Sequence, residues 1–191
     1  PLALSYNSST NVGEEVYDIA ARPDGGFDLI VRNGSQYSVR SYDLGGNVNA
    51  STVLPYNAMP VALAYSLEGE RCVVTGTFGS YTTLSLLFGD GAVTNIPLGA
   101  PGTPIGGPNG VDVADDIVVR FTGNGTVLLA VERMTYGPSG LEANVIQFIE
   151  AGRDGMVRVV GEIEGPTGAE ELNGSDVTDI HVLADGSFLV A

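Results

Sequence analysis

Apolar residues in this chain fall in stretches of five to eight that stop at Gly, Asp, Asn or Pro: FDLIV, RCVVTG, TLSLLF, DIVVRF, TVLLAVE, VIQFIE and MVRVVGEI. These stretches are rich in β-branched and aromatic side chains, and their length and breaks predict β-strands rather than helices. The 27 glycines and 10 prolines are scattered between them, as expected where many short strands are joined by tight turns. A helical period is nearly absent. The weak segment TGAEELNG is read as loop.

The strand pattern repeats. YDIAARPDGGFDL near the start and TDIHVLADGSFLV at the end align without a gap, with Asp18, Ile19, Asp24, Gly25 and Phe27 falling on Asp179, Ile180, Asp185, Gly186 and Phe188. Turn dipeptides carry the repeat through the middle of the chain at Asp24-Gly25, Glu68-Gly69, Asn124-Gly125 and Asp185-Gly186, each between two apolar stretches. Asp-Gly and Asn-Gly permit the positive φ of a two-residue hairpin, so each anchor predicts a first and a second strand. A second anchor follows in three units, at Gly45-Gly46, Asp90-Gly91 and Asp154-Gly155, and predicts a third and a fourth. The units are 16–55, 58–98, 111–165 and a partial one at 176–191, with GAPGTPIGGPNG and EGPTGAEELNGSD inserted between the later ones. The first two anchors are 44 residues apart, and four-stranded units of roughly 40–50 residues have the size of propeller blades. One such sheet, apolar on both faces, cannot bury them alone, whereas stacked neighbours can. The expected fold is all-β: a β-propeller or propeller fragment of four-stranded antiparallel blades in a single repeat-built domain, with a β-sandwich as the alternative and a solenoid behind it.

Composition narrows the partners. The formal charge is -15, from 23 Asp plus Glu against 8 basic residues, all of them Arg. Such a chain repels nucleic acid and anionic membranes, which are bound through basic side chains, and suits cations or basic partners. No apolar run reaches the ~18 residues that span a bilayer, so no membrane insertion is expected. PLALSYNSST lacks the basic and long apolar regions of a signal peptide, so the sequence is expected to be mature or excised. Without lysine there is no phosphate-loop Lys or Schiff base, and one histidine excludes an HExxH zinc helix. Cys72 is alone, within RCVVTG, and is expected to be a buried, inert thiol.

The phrases DIAARPDGGFDLIV and DIHVLADGSFLV resemble the tandem ADGGF-type repeats of large acidic secreted bacterial proteins, among them RTX-associated chains, and more loosely the repeats of delta-60 type. The resemblance covers the first hairpin of each unit. It implies a secreted, extracellular or cell-surface propeller, often without an assigned activity. The calcium nonapeptide of RTX repeats is only approximated by GGPNGVDVADD at 106–116, so a calcium β-roll is not expected.

Three carboxylates stand out. Asp18, Asp116 and Asp179 each begin an Asp-Ile pair at the head of a first strand, where the second unit has Ala62. First strands of propeller blades line the axis, so these groups are expected to converge at one mouth of the channel, where repulsion is relieved by Ca²⁺ or by an Arg. The plainer expectation is that each Asp caps its entry loop. His181, two residues after Asp179, shares its strand face and is the only available base for a Ser-His-Asp relay. Five Asn-x-Ser/Thr sequons, at Asn7, Asn33, Asn49, Asn124 and Asn173, suit an extracellular chain or simple turns.

The first functional expectation is an extracellular, non-enzymatic module for adhesion, assembly or scaffold binding within a larger secreted or surface protein. Its partners would be a cell-surface protein or glycan, or further copies of itself. A carbohydrate-active enzyme, a hydrolase or lyase using Asp112, Asp115, Asp116 and Asp179, is the alternative, against which stands the absence of tryptophan. A calcium-stabilised structural repeat is the third. The partial unit at the C-terminal end and the strand-like PLALSY at the other end predict a fragment or a partner-completed assembly.

Overall fold

The computed structural model describes residues 15–55, 58–77, 80–97, 111–137, 140–164, 179–183 and 185–191, with backbone alone at 58, 77, 80–82, 111–116, 133–137 and 140–144. Fourteen strands are present among the described residues. β1 (Glu15–Ala21), β2 (Phe27–Asn33), β3 (Gln36–Tyr42) and β4 (Val48–Val53) form blade 1, an antiparallel meander in chain order. β5 (Ala58–Tyr65), β6 (Arg71–Thr77), β7 (Ser80–Phe88) and β8 (Val93–Pro97) form blade 2. β9 (Val111–Phe121), β10 (Val127–Gly137), β11 (Gly140–Ala151) and β12 (Val157–Glu164) form blade 3. A two-stranded sheet, β13 (Ile180–Val182) with β14 (Phe188–Val190), follows. TGAEELNG and the insert GAPGTPIGGPNG lie outside the described residues.

The first strands meet in series: β1 contacts β5, β5 contacts β9, and β9 contacts β13. This is a β-propeller arrangement, in which each blade presents its innermost strand to the innermost strand of the next. A sandwich would instead stack two broad sheets face to face. Apolar packing follows the same order. Ile30 and Val39 of blade 1 pack with Leu63 and Val73 of blade 2. Val74, Leu84, Leu86 and Ile96 of blade 2 pack with Val127, Leu129 and Ile149 of blade 3. Leu128, Ala130 and Phe148 then pack with Ile180. Each fully buried Leu or Ile in these layers contributes about 1.5–3 kcal/mol relative to exposure, so the core is the set of junctions between blades rather than the interior of any one.

The hairpins share a turn that departs from the two-residue form expected. In the first, Gly25 N–H donates to Arg22 O and Arg22 N–H to Gly26 O, with Gly25 at φ 96°. The bonding repeats from Ser66, Thr122 and Leu183, and in the outer hairpins from Asp43, Phe88 and Gly152. This is a three-residue loop, a β-turn followed by a left-handed glycine bulge. In the first hairpin Pro23 fits this form: its fixed negative φ suits the second position of an ordinary turn, and without an N–H it could not donate the bond that closes a two-residue loop over Asp24 and Gly25. The other hairpins take the same form without a proline there.

Candidate functional site: the junctions between blades

Counting back from the first turn residue places Asp18, Ala62, Val118 and Asp179 in one structural position. Asp18 stands opposite Ile30, Ala62 opposite Val74 and Val118 opposite Ala130, while the backbone of Asp179 bonds to Ala191. The sequence register that set Asp116 beside Asp18 and Asp179 is therefore corrected. DIVVRFTGNG has two more residues between its Asp-Ile pair and the turn than the other copies, and Asp116 is the unpaired residue at a bulge in β9. The side chains of Asp112, Asp115 and Asp116 lie outside the described residues.

Asp18 and Asp179 are both ties between first strands. Asp18 accepts its neighbour Ile19 N–H at 2.7 Å through Oδ1 and, through Oδ2, Leu63 N–H of blade 2 at 2.7 Å. Burial raises its pKa above the ordinary value, while the two N–H donors and the charge of Arg120 act in the opposite sense. Asp179 accepts Ile180 N–H and is ion-paired with the same Arg120. Arg120 of β9 is thus paired with Asp179, and its charge is a smaller favourable influence at Asp18. Among the described residues no three His, Cys, Asp or Glu side chains are grouped to hold a metal ion. His181 is exposed, and the carboxylate two residues before it is engaged with Arg120.

The most buried ionic group is one that the sequence reading passed over. Asp28, on β2, has no exposed surface. Its Oδ2 accepts the Tyr65 hydroxyl of blade 2 at 2.6 Å and lies 3.5 Å from Arg71 Nη1. Its Oδ1 has Arg22 Nη1 at 3.6 Å, an ion pair too long for a hydrogen bond, so that oxygen is buried without a donor. Proximity to Asp28 and burial push the Tyr65 phenol well above its ordinary pKa, burial being the larger effect. Arg22 also holds Asp24 at 3.0 Å and lies across Gly26, where a Cβ would collide with the Arg22 guanidinium and the Tyr42 carbonyl. The signal was available: the equivalent residues in the other three units are Cys72, Leu128 and Leu189, so an Asp stands alone in an apolar column.

The next junction uses other chemistry. Cys72 is fully buried with Val127, and Phe121 packs against the same cluster. Burial raises the Cys72 thiol to about 12, which keeps it protonated and inert. Nearer the outside, Thr94 Oγ1 of blade 2 donates to Gly152 O at 2.7 Å, and Arg153 pairs with Glu70 and Asp90 with its guanidinium 5.9 Å from the Phe88 ring centre. Between blade 3 and the β13–β14 hairpin lies a cleft of about 320 Å³, lined by Leu128, Glu150, Arg158, Val160, Val182 and Phe188 among others. Glu150, held by Arg158 and Thr126 Oγ1, has its pKa lowered.

No protein-family model and no curated protein matches the chain. Among solved structures it is similar to a protein of unknown function from Bacteroides caccae, at 13% identity and TM-score 0.46, covering 97% of this chain and 73% of that one. It is similar to virginiamycin B lyase from Staphylococcus aureus at 14% identity and TM-score 0.44, covering 95% of this chain and 64% of that one. The propeller of Dos1 matches at 12% identity and TM-score 0.41, covering 98% of this chain and 56% of that one. At such identities these likenesses concern chain path and carry no activity across.

Proposed function

We propose that this chain is an extracellular, non-enzymatic repeat module for adhesion, assembly or scaffold binding, working through the outer strands of its blades. The observation that carries this reading is the row of exposed apolar residues on the last strand of blade 3, Val157, Val159, Val160 and Ile163, between 37% and 51% exposed. β12 is the end strand of its sheet, and so is β4 with exposed Val48 and Val53. An edge strand with bare apolar side chains is a template for another chain. The charge of -15 favours a basic partner or one bound with cations. Asn33, Asn49 and Asn124, three of the sequons, are exposed, in keeping with an extracellular surface. Meanwhile Asp18, Asp28, Asp179 and Arg120 are engaged in holding blades together, which is structural work.

The test has two arms. The chain incubated with a panel of polysaccharides should release neither reducing ends nor unsaturated products, and turnover of any of them would favour a hydrolase or lyase. Retention on glycan- or protein-coated surfaces should drop at least tenfold in the Val159→Glu, Ile163→Glu variant with unfolding unchanged. Undiminished retention would remove β12 as the binding strand.

A further inference from the structure

The face that blade 1 turns toward blade 2 is polar at both ends. Asp28 stands at one end. Arg32, on the same face of β2, stands at the other, about 13 Å away by the rise of a strand. There four side chains meet. Arg32 Nε donates to Gly34 O at 2.7 Å, while Nη1 donates to the Tyr17 hydroxyl at 3.3 Å and lies 3.5 Å from Glu15 Oε2. The guanidinium carbon is 5.7 Å from the centre of the Tyr37 ring, and Tyr17 meets Tyr37 edge to face at 5.2 Å. Tyr17 is the unpaired residue at a bulge in β1, and the bulge lets it and its neighbour Asp18 both turn toward blade 2.

The blade does not require this set. Strand pairing puts Met59, Val61, Gly76 and Leu84 in the same four positions of blade 2, where Val61 and Leu84 pack against blade 3. Apolar residues and a glycine therefore serve the following junction where blade 1 places two phenols and an ion pair. An exposed ion pair adds little to stability, so the packing of blades does not account for the difference.

What the cluster offers is a donor and an acceptor fixed side by side within reach of solvent. Gly34 O, Tyr17 and Tyr37 hold the guanidinium in one orientation, which leaves little side-chain freedom to lose when a ligand arrives. The Arg32 side chain is nonetheless 42% exposed and that of Glu15 63%. Arg32 Nη2 and Glu15 Oε1 have no partner among the described residues. Neighbouring hydroxyls of a sugar ring match such a pair, one oxygen accepting from the guanidinium and the next hydroxyl donating to the carboxylate. Tyr17 and Tyr37 are only half-buried, so part of each side chain is left to meet the C–H groups of the ring. An anionic ligand is opposed by Glu15 itself and by the charge of -15.

We infer that Glu15, Tyr17, Arg32 and Tyr37 form a binding site for a neutral saccharide with adjacent hydroxyls. The inference rests on the adhesion reading, assigns its glycan contact to this cluster and leaves β12 to protein partners.

Retention of the whole chain on columns of immobilised mannan, dextran and galactan tests it. At least one column should retard the chain, with the same polysaccharide in solution competing. Arg32→Gln and Glu15→Gln should each weaken that binding roughly tenfold, the loss of one hydrogen bond to a charged group, whereas Val159→Glu, Ile163→Glu should leave it unchanged. Glu15 is exposed, so Glu15→Gln should unfold at the wild-type urea midpoint and keeps the test independent of folding. Binding undiminished by Glu15→Gln would overturn the inference while sparing the adhesion reading. So would a chain that passes all three columns yet is held on protein-coated surfaces. A chain held by neither would defeat both.

Discussion

The junction of blades 1 and 2 and the junction of blades 2 and 3 put three residues in the same three places and fill them with opposite chemistry. Asp28, Tyr65 and Arg71 meet at the first, Cys72, Phe121 and Val127 at the second. A buried ion pair is often no more stabilising than an apolar set of similar volume, because two charges lose their hydration before they attract one another. What the ionic version adds is dependence. Cys72 and Val127 tolerate any well-packed apolar neighbour, whereas Asp28 requires both arginines and the phenol. The difference teaches that a repeat can keep its backbone while one junction is made specific to its own pair of blades.

Breaking the ionic junction should have the largest effect. Asp28→Ala strands Arg71 and the Tyr65 hydroxyl and should cost about 3–5 kcal/mol, read from the urea midpoint at constant m-value. A loss below ~1 kcal/mol would mean that water already shares the node. The apolar side responds through volume: Leu129→Ala, in the layer between blades 2 and 3, should cost about 2–5 kcal/mol. Tyr65→Phe removes one short bond to a buried charge and should cost about 1.5–3 kcal/mol. At the rim, Arg153→Ala loses exposed pairs with Glu70 and Asp90 and should cost no more than ~1 kcal/mol. That loss should shrink in high salt, whereas the Asp28 effect should persist because buried pairs are poorly screened.

Acidity gives the smallest and sharpest contrast. The folded pKa of Asp18 is raised, so its contribution is present at pH below the unfolded value of 3.8 and is lost as pH rises through the folded one. Glu150 is lowered, so its contribution is present above 4.5 and is lost as pH falls through the folded value. Urea midpoints between about pH 3 and 6 should show Glu150→Gln flattening the acid-side loss and Asp18→Asn flattening the opposite trend. Identical slopes in wild type and both variants would discard these assignments.

Much of this architecture was legible because it is written locally. Asp-Gly and Asn-Gly mark turns whatever surrounds them, so the hairpins at 24–25, 90–91, 124–125, 154–155 and 185–186 fall where those pairs stand. The turn type was not legible in the dipeptide, because a Gly with positive φ can close either a two-residue loop or a three-residue loop with a bulge. Register was less secure. An Asp-Ile pair drew Asp116 into line with Asp18, although counting back from the turn glycine already shows two more residues in that copy, and strand pairing sets Val118 in the place of Asp18. The Asp28 node depends on Tyr65 and Arg71, 37 and 43 residues away, and no local pattern announces that three such groups will meet. The column of equivalents, Cys72, Leu128 and Leu189, was the available hint.

The central claim is that the blade 1–2 junction is an ionic substitute for the apolar junction that follows it, held by the same backbone. The direct measurement is equilibrium unfolding of Asp28→Cys beside the triple variant Asp28→Cys, Tyr65→Phe, Arg71→Val, which writes the second junction into the first. If the backbones are equivalent, the triple variant should recover at least half of the stability that the single change loses, since no buried charge is then left unpaired. A triple variant as unstable as Asp28→Cys, or less stable, would show that the two junctions are not interchangeable and would contradict the claim.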